Sequence, residues 1–195
     1  MARKLRRAVF LDRDGTINEM VHYPEHGIMD SPFLPSQVKL LPHAGKALSA
    51  LRKRGFLLVV ISNQPGIAKG ILTKKTFGKI EGRIDALLAR HAAMPDAKYY
   101  CFHHPHAKLA HYRVRCGCRK PKPGLIKKAA RELGIDLKKS YFVGDGVVDV
   151  QAGRAAGCKT IFIGMFKPEL WKFFNKIKKP DFVAKNLVHA ARKIK

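Results

Sequence analysis

Phe10-Leu11-Asp12-Arg13-Asp14-Gly15-Thr16 is the stretch on which the fold turns. Val9-Phe10-Leu11 is an apolar run too short for a helix, so it reads as a buried strand, and two aspartates and a glycine follow at once. A second stretch repeats the design. Val143-Gly144-Asp145-Gly146-Val147-Val148-Asp149 again ends an apolar strand in glycine and carboxylates. Only 14 acidic residues exist among 195, and four of them stand at these two strand ends. In an open α/β sheet, ligands bind beyond the carboxyl ends of the strands, so the two pairs are expected to meet in one crevice.

Outward from these stretches, short apolar strands alternate with helical periodicity, which predicts a parallel sheet covered by helices on both faces. Ala44, Ala47, Leu48 and Leu51 place a helix from about His43 to Arg54, ended by Gly55. Leu57 to Ile61 reads as a strand buried on both faces. Helix Lys74–Ala92, strand Tyr99–Phe102, helix Leu125–Leu133, strand Tyr141–Val143, helix Val147–Ala156 and strand Thr160–Ile163 follow. A short strand and a closing helix are predicted within Asp181–Lys195. Tyr23–Gln37 and His103–Cys118 read as linker-like. The whole chain, 1–195, is expected to be one α/β domain.

Composition narrows the classes. The longest apolar run, Phe56 to Ile61, is far short of the ~20 residues of a membrane span. Ala8-Val9-Phe10-Leu11 runs straight into charge, too short for a signal-peptide core, so a cytoplasmic chain is expected. Lys and Arg number 39, giving a net charge of +25. Such a balance suits anionic partners such as nucleic acid or phosphorylated metabolites, or reflects a proteome with basic habits.

In so basic a chain, a lone aspartate after a strand is most simply a helix cap. Two pairs, with Gly15 and Gly144 allowing close backbone approach, point instead to a cation between them, and oxygen-only ligands suit Mg²⁺. Ser62-Asn63, at the end of the second long strand, offers a hydroxyl, an amide and N–H groups to an anion. Lys120 lies between Arg119 and a proline-stiffened segment, Pro121-Lys122-Pro123, just before a helix. Carboxylate, metal, hydroxyl and lysine together are what phosphoryl transfer needs.

Cys101-Phe102-His103 and Cys116-Gly117-Cys118 supply three sulfurs and an imidazole from two short turns, which matches tetrahedral structural Zn²⁺. Free thiols are the alternative, and His104, His106 and His111 compete with His103 for the fourth position. Cys158, in Ala155-Ala156-Gly157-Cys158, reads as an ordinary buried cysteine.

Asp12-Arg13-Asp14-Gly15-Thr16, Ser62-Asn63, Lys120 and Gly144-Asp145 with Asp149 resemble, in order and placement, the four motifs of the haloacid dehalogenase (HAD) superfamily of phosphatases. The resemblance implies a three-layer Rossmann-like fold. It also implies Asp12 as nucleophile, Asp14 as general acid and then base, and Ser62 and Lys120 holding the transferred phosphoryl group. Mg²⁺ would be held by Asp12, the Asp14 carbonyl and Asp145, with Asp149 in support.

The cysteine cluster followed by Arg119-Lys120-Pro121 is similar to the branch containing histidinol phosphatases and heptose-bisphosphate 7-phosphatases, where the zinc loop, here about 101–118, braces the lysine. Met20, Val21, His22, Tyr23, Ser62, Asn63, Gln64, Pro65, Arg119 and Lys120 match positions at which that branch contacts substrate. Two departures stand out: Gly146 where the branch often has lysine, and an extension at Ile28 to Pro32. The stretch between Asp14 and Ser62 includes a helix and is too short for a large cap domain.

The expected reaction is Mg²⁺-dependent hydrolysis of a small sugar phosphate by a monomer, with the heptose bisphosphate first and histidinol phosphate second. A rim of Arg119, Lys120 and Lys122 without a carboxylate underlies that order. A nucleic-acid-binding protein or nucleic-acid 3′-phosphatase is the rival class. Against it, basic residues are spread along the chain, and Trp171-Lys172-Phe173-Phe174 reads as a packed turn rather than a base-stacking platform.

Overall fold

The computed structural model describes residues 5–164 and 179–195; Trp171-Lys172-Phe173-Phe174 lies outside them. Six parallel strands form the main sheet: β1 (Ala8–Leu11), β4 (Leu57–Asn63), β5 (Ala97–Cys101), β6 (Tyr141–Gly144), β7 (Lys159–Ile163) and β8 (Phe182–Ala184). Their order is β5-β4-β1-β6-β7-β8, all neighbours parallel. The chain runs outward from β1 through β4 to β5, then returns to β6 on the other side of β1. The switch point, where such sheets bind ligands, therefore lies at the end of β1.

Alternation along the strands divides the core in two. Val9 and Leu11 of β1, with Leu58, Val60 and Val143, pack under α1 (Ala44–Lys53), α2 (Lys74–Ala89) and a last helix, α5 (Leu187–Lys193). Ala8 and Phe10, with Val59, Ile61 and Phe142, pack under α3 (Gly124–Leu133) and α4 (Val147–Ala156). Helices thus cover both faces, as the alternating pattern predicted. Cys158 is buried in the second core. Among the described residues no helix is long and apolar enough to cross a membrane.

The predicted elements all form, with shifted ends. Helix α2 stops at Ala89 rather than Ala92, which takes a left-handed turn conformation at φ 50°. Strand β5 starts two residues early, at Ala97, and ends at Cys101. The larger difference is the stretch read as linker. Val21–Tyr23 (β2) and Ile28–Asp30 (β3) pair as an antiparallel hairpin with Tyr23 opposite Ile28. Strands of three residues with mostly exposed side chains carry no usable alternation. What anchors them is Tyr23, buried against Phe33 at 4.4 Å between ring centroids, its hydroxyl donating to the Ser31 carbonyl at 3.0 Å.

Candidate active site

Strand β1 delivers Asp12 and Asp14, β4 delivers Ser62 and Asn63, and β6 delivers Asp145 with Asp149 one helical turn beyond. These converge with Met20, Pro65, Arg119 and Lys120 on one cleft of about 260 Å³. Two glycines make the convergence possible. A Cβ on Gly144 would lie 2.3 Å from the Asp149 carboxylate, and one on Gly15, at φ +76°, 2.1 Å from that of Asp145.

Lys120 is the electrostatic hub. Its side chain is only 2% exposed, and its ammonium lies 2.8 Å from Asp12 Oδ1 and 2.7 Å from Asp149 Oδ1 while donating to the Ile61 carbonyl at 3.0 Å. Burial works against its charge, but the two carboxylates outweigh that and hold its pKa above the ordinary lysine value. Asn63 sets its position: the Lys120 N–H donates to Asn63 Oδ1 at 3.0 Å and Asn63 Nδ2 donates to the Lys120 carbonyl at 3.1 Å. The Asn63 amide, expected to face an anion, is thus spent bracing the lysine. The Lys120–Pro121 peptide is cis.

Asp12, Asp145 and Asp149 each bring a carboxylate oxygen within 4.8 Å of the others. Burial and the charges of Asp12 and Asp149 push Asp145 up to about 7. Burial also lifts Asp149 to about 6, against the pull of Lys120. One ammonium does not satisfy three crowded carboxylates, and hard oxygen donors fit Mg²⁺. Asp14 also lines the cleft but is paired differently. Its carboxylate accepts from Arg13 Nε and Nη2, from Asn18 Nδ2 at 2.9 Å and from Gln64 Nε2 at 2.7 Å. Burial opposes its charge, yet the Arg13 guanidinium and these donors hold its pKa below the usual carboxylate value.

The substrate-contact expectations divide. Met20, Ser62, Asn63, Pro65, Arg119 and Lys120 line the cleft; Val21, His22, Tyr23 and Gln64 are not among its lining residues. His22 is exposed on the hairpin, Tyr23 is spent anchoring it, and Gln64 is buried, bridging Asp14 and Ser62 Oγ at 3.0 Å. Lys122 lies in a neighbouring cavity with Arg115 and Arg119, not in the cleft. Asp30 and Ser31, at the end of the hairpin, line it instead, so the rim is not purely basic. The hairpin that brings them was hidden by its brevity. Arg13, which grips Asp14, and Glu81, which holds the far end of Arg13, also escaped notice, although a glutamate interrupting the Phe77, Ile80, Ile84, Leu88 stripe was a visible sign.

Beside the cleft, Cys101, His103, Cys116 and Cys118 bring three sulfurs and an imidazole nitrogen within 4.8 Å of one another. The Sγ atoms lie 3.1–3.6 Å apart and His103 Nδ1 is 3.3 Å from Cys118 Sγ. This is a little tighter than the ~3.8 Å edge of a tetrahedron with 2.3 Å Zn–S arms. Soft donors in this number and spacing fit Zn²⁺. The cluster is tied to the cleft through Arg119, whose Nη1 donates to the His103 carbonyl at 3.3 Å.

A profile described as haloacid dehalogenase-like hydrolase matches residues 30–157, and the chain belongs to that family. Among curated relatives, the D-glycero-beta-D-manno-heptose-1,7-bisphosphate 7-phosphatase of Photorhabdus laumondii is 42% identical over 149 residues, 76% of this chain and 75% of the relative. Its counterpart in Escherichia coli K12 is 41% identical over 153 residues, 78% and 76% of the two chains. Among solved structures, the D,D-heptose 1,7-bisphosphate phosphatase of B. bronchiseptica, complexed with magnesium and phosphate, superposes with a TM-score of 0.78 at 28% identity, covering 96% and 97% of the two chains.

Proposed function

We propose that this chain is a Mg²⁺-dependent phosphatase that removes the 7-phosphate of D-glycero-D-manno-heptose 1,7-bisphosphate. The observation that carries the reading is the meeting of Asp12, Lys120, Asp145 and Asp149 at the switch point of the sheet. The names of the relatives supply the substrate.

Asp12 is the nucleophile. Its Oδ1 is fixed by the Arg13 N–H at 2.7 Å and by Lys120, which leaves Oδ2 for attack on phosphorus. As the Asp12–phosphorus bond forms, the phosphorus–ester oxygen bond breaks, and Asp14, in its protonated form, gives its proton to the departing oxygen and returns to the ionised state that Arg13 favours. Asp14 then takes a proton from water, whose oxygen attacks phosphorus and releases phosphate and the free Asp12 carboxylate. Ser62 and Lys120 bind the non-reacting phosphoryl oxygens throughout. Asp12, Asp145, Asp149 and the Asp14 carbonyl would hold Mg²⁺, which when bound neutralises charge so that a carboxylate can approach a phosphate monoester.

Arg119, with a fork suited to a remote phosphate or hydroxyl, selects the sugar bisphosphate. Zn²⁺ on the Cys101, His103, Cys116 and Cys118 set does no chemistry and stiffens the segment that carries Arg119 and Lys120. A thiolate zinc site suits a reducing compartment, in keeping with a cytoplasmic enzyme. Asp30 at the cleft rim favours a cationic substrate such as histidinol phosphate, and a side-by-side assay of the two phosphates decides between them. Asp12→Asn tests the mechanism: it is expected to abolish Mg²⁺-dependent phosphate release while leaving the fold intact. Substantial activity in that variant would contradict a covalent route.

A further inference from the structure

We propose that Glu81, on α2 and outside the cleft, is a positioning residue that sets the orientation of Asp14 through Arg13. The inference rests on the phosphatase reading and adds a residue to it.

Asp14 is aimed by its neighbours. Arg13 Nε and Nη2 reach both of its oxygens at 2.9–3.2 Å. The Arg13 side chain is only 2% exposed and is among the largest fully buried in the protein. Its pose is fixed at the other end, where Nη1 donates to Glu81 Oε1 at 2.6 Å. The second oxygen of Glu81 takes Lys98 Nζ at 3.0 Å and the Tyr100 hydroxyl, and Lys98 also pairs with Asp85. The Tyr100 ring is wedged edge-on against Phe77 at 5.1 Å, and the Arg13 guanidinium lies over Phe77 at 5.7 Å. A continuous chain of charges, Asp85–Lys98–Glu81–Arg13–Asp14, thus runs from α2 and β5 into the cleft. Without Glu81 the guanidinium has only Asp14 as carboxylate partner and no fixed far end, so it can rotate and pull Asp14 against its remaining bonds from Asn18 and Gln64. Misorientation of a catalytic group by about 1 Å costs on the order of 10²-fold.

The dependence on leaving group reports this directly. An alkyl ester oxygen must be protonated as its bond to phosphorus breaks, whereas p-nitrophenolate departs without a proton. The quantity kcat/KM covers steps only through phosphorylation of Asp12, so the later role of Asp14 as base does not blur it. In full-length protein with Mg²⁺, Glu81→Ala is expected to lower kcat/KM for the sugar bisphosphate by ~10²-fold, and for p-nitrophenyl phosphate by less than about fivefold. Glu81→Gln keeps an acceptor for Nη1 but loses the charge, and should fall between, moving the ratio of the two constants by about threefold or more. Circular dichroism checks the fold; if Glu81→Ala does not fold, the Gln variant decides alone. Equal losses on both substrates, or a ratio unmoved from wild type, would overturn the proposal. If the wild-type protein hydrolyses neither ester, the phosphatase reading itself fails.

Discussion

At the scale of single residues, the cleft concentrates negative charge in a protein of net charge +25, and Asp145 bears most of the strain. Its pKa is raised from 3.8 to about 7, by burial first and then by Asp12 and Asp149. The folded state therefore prefers Asp145 protonated. Without metal, its contribution to stability is complete below about pH 4 and is lost as pH rises to about 7. Asp145→Asn removes the penalty, so at pH 8 in EDTA the variant should melt above wild type by at least about 2–4 °C, the shift that ~1 kcal/mol makes in a domain of this size. Mg²⁺ should reverse the order by raising the wild-type melting temperature alone. Melts in which metal-free wild type gains stability from pH 4 to pH 8 relative to the variant would contradict this assignment. Residues of this kind were legible: two pairs of carboxylates at strand ends are more than helix capping needs, and the glycines beside them announced close approach. Arg13 was not, because a lone arginine between aspartates says nothing of the helix that holds its other end.

Among the elements, the loop carrying the cysteines illustrates what spacing can and cannot say. Two short turns bearing three sulfurs and an imidazole were sufficient to expect a cluster, since tetrahedral coordination demands donors of that kind within a few ångströms. The cost of losing it follows from connection rather than chemistry: Cys118 is two residues from Lys120, and Arg119 ties back to His103. Purified protein should carry about one zinc per chain, the count a single four-ligand site holds. Cys118→Ser should lose the metal, and phosphatase activity with it by about tenfold or more, the usual cost of disturbing groups that support a site. Elemental analysis showing no zinc in chelator-free wild type, or full activity in a zinc-free variant, would contradict the bracing role. The β2–β3 hairpin marks the opposite limit. Its strands are three residues long and its outer face is exposed, so neither periodicity nor burial was written into the sequence; Ile28 to Pro32 stood out only as an extension, and the pairing that carries Asp30 to the cleft did not.

For the molecule as a whole, the parallel sheet, its two-sided core and the position of the cleft follow from alternation and from the rule that ligands sit beyond the carboxyl ends of strands; the strand order does not, because alternation leaves open which strands are neighbours. The net charge of +25 belongs to this scale too. It should draw phosphorylated substrates inward, so kcat/KM falls as ionic strength rises, with encounter limiting the rate. A flat salt profile would show that the charge does not steer substrate. Tight, steeply salt-dependent binding to a random DNA duplex would point instead to nucleic acid as its partner. The central claim is the reaction itself. Heptose 1,7-bisphosphate incubated with the protein and Mg²⁺ and followed by ³¹P NMR should lose the resonance of the 7-phosphate, gain that of inorganic phosphate and keep that of the 1-phosphate. Loss of the 1-phosphate, or no release of phosphate from either position, would contradict it.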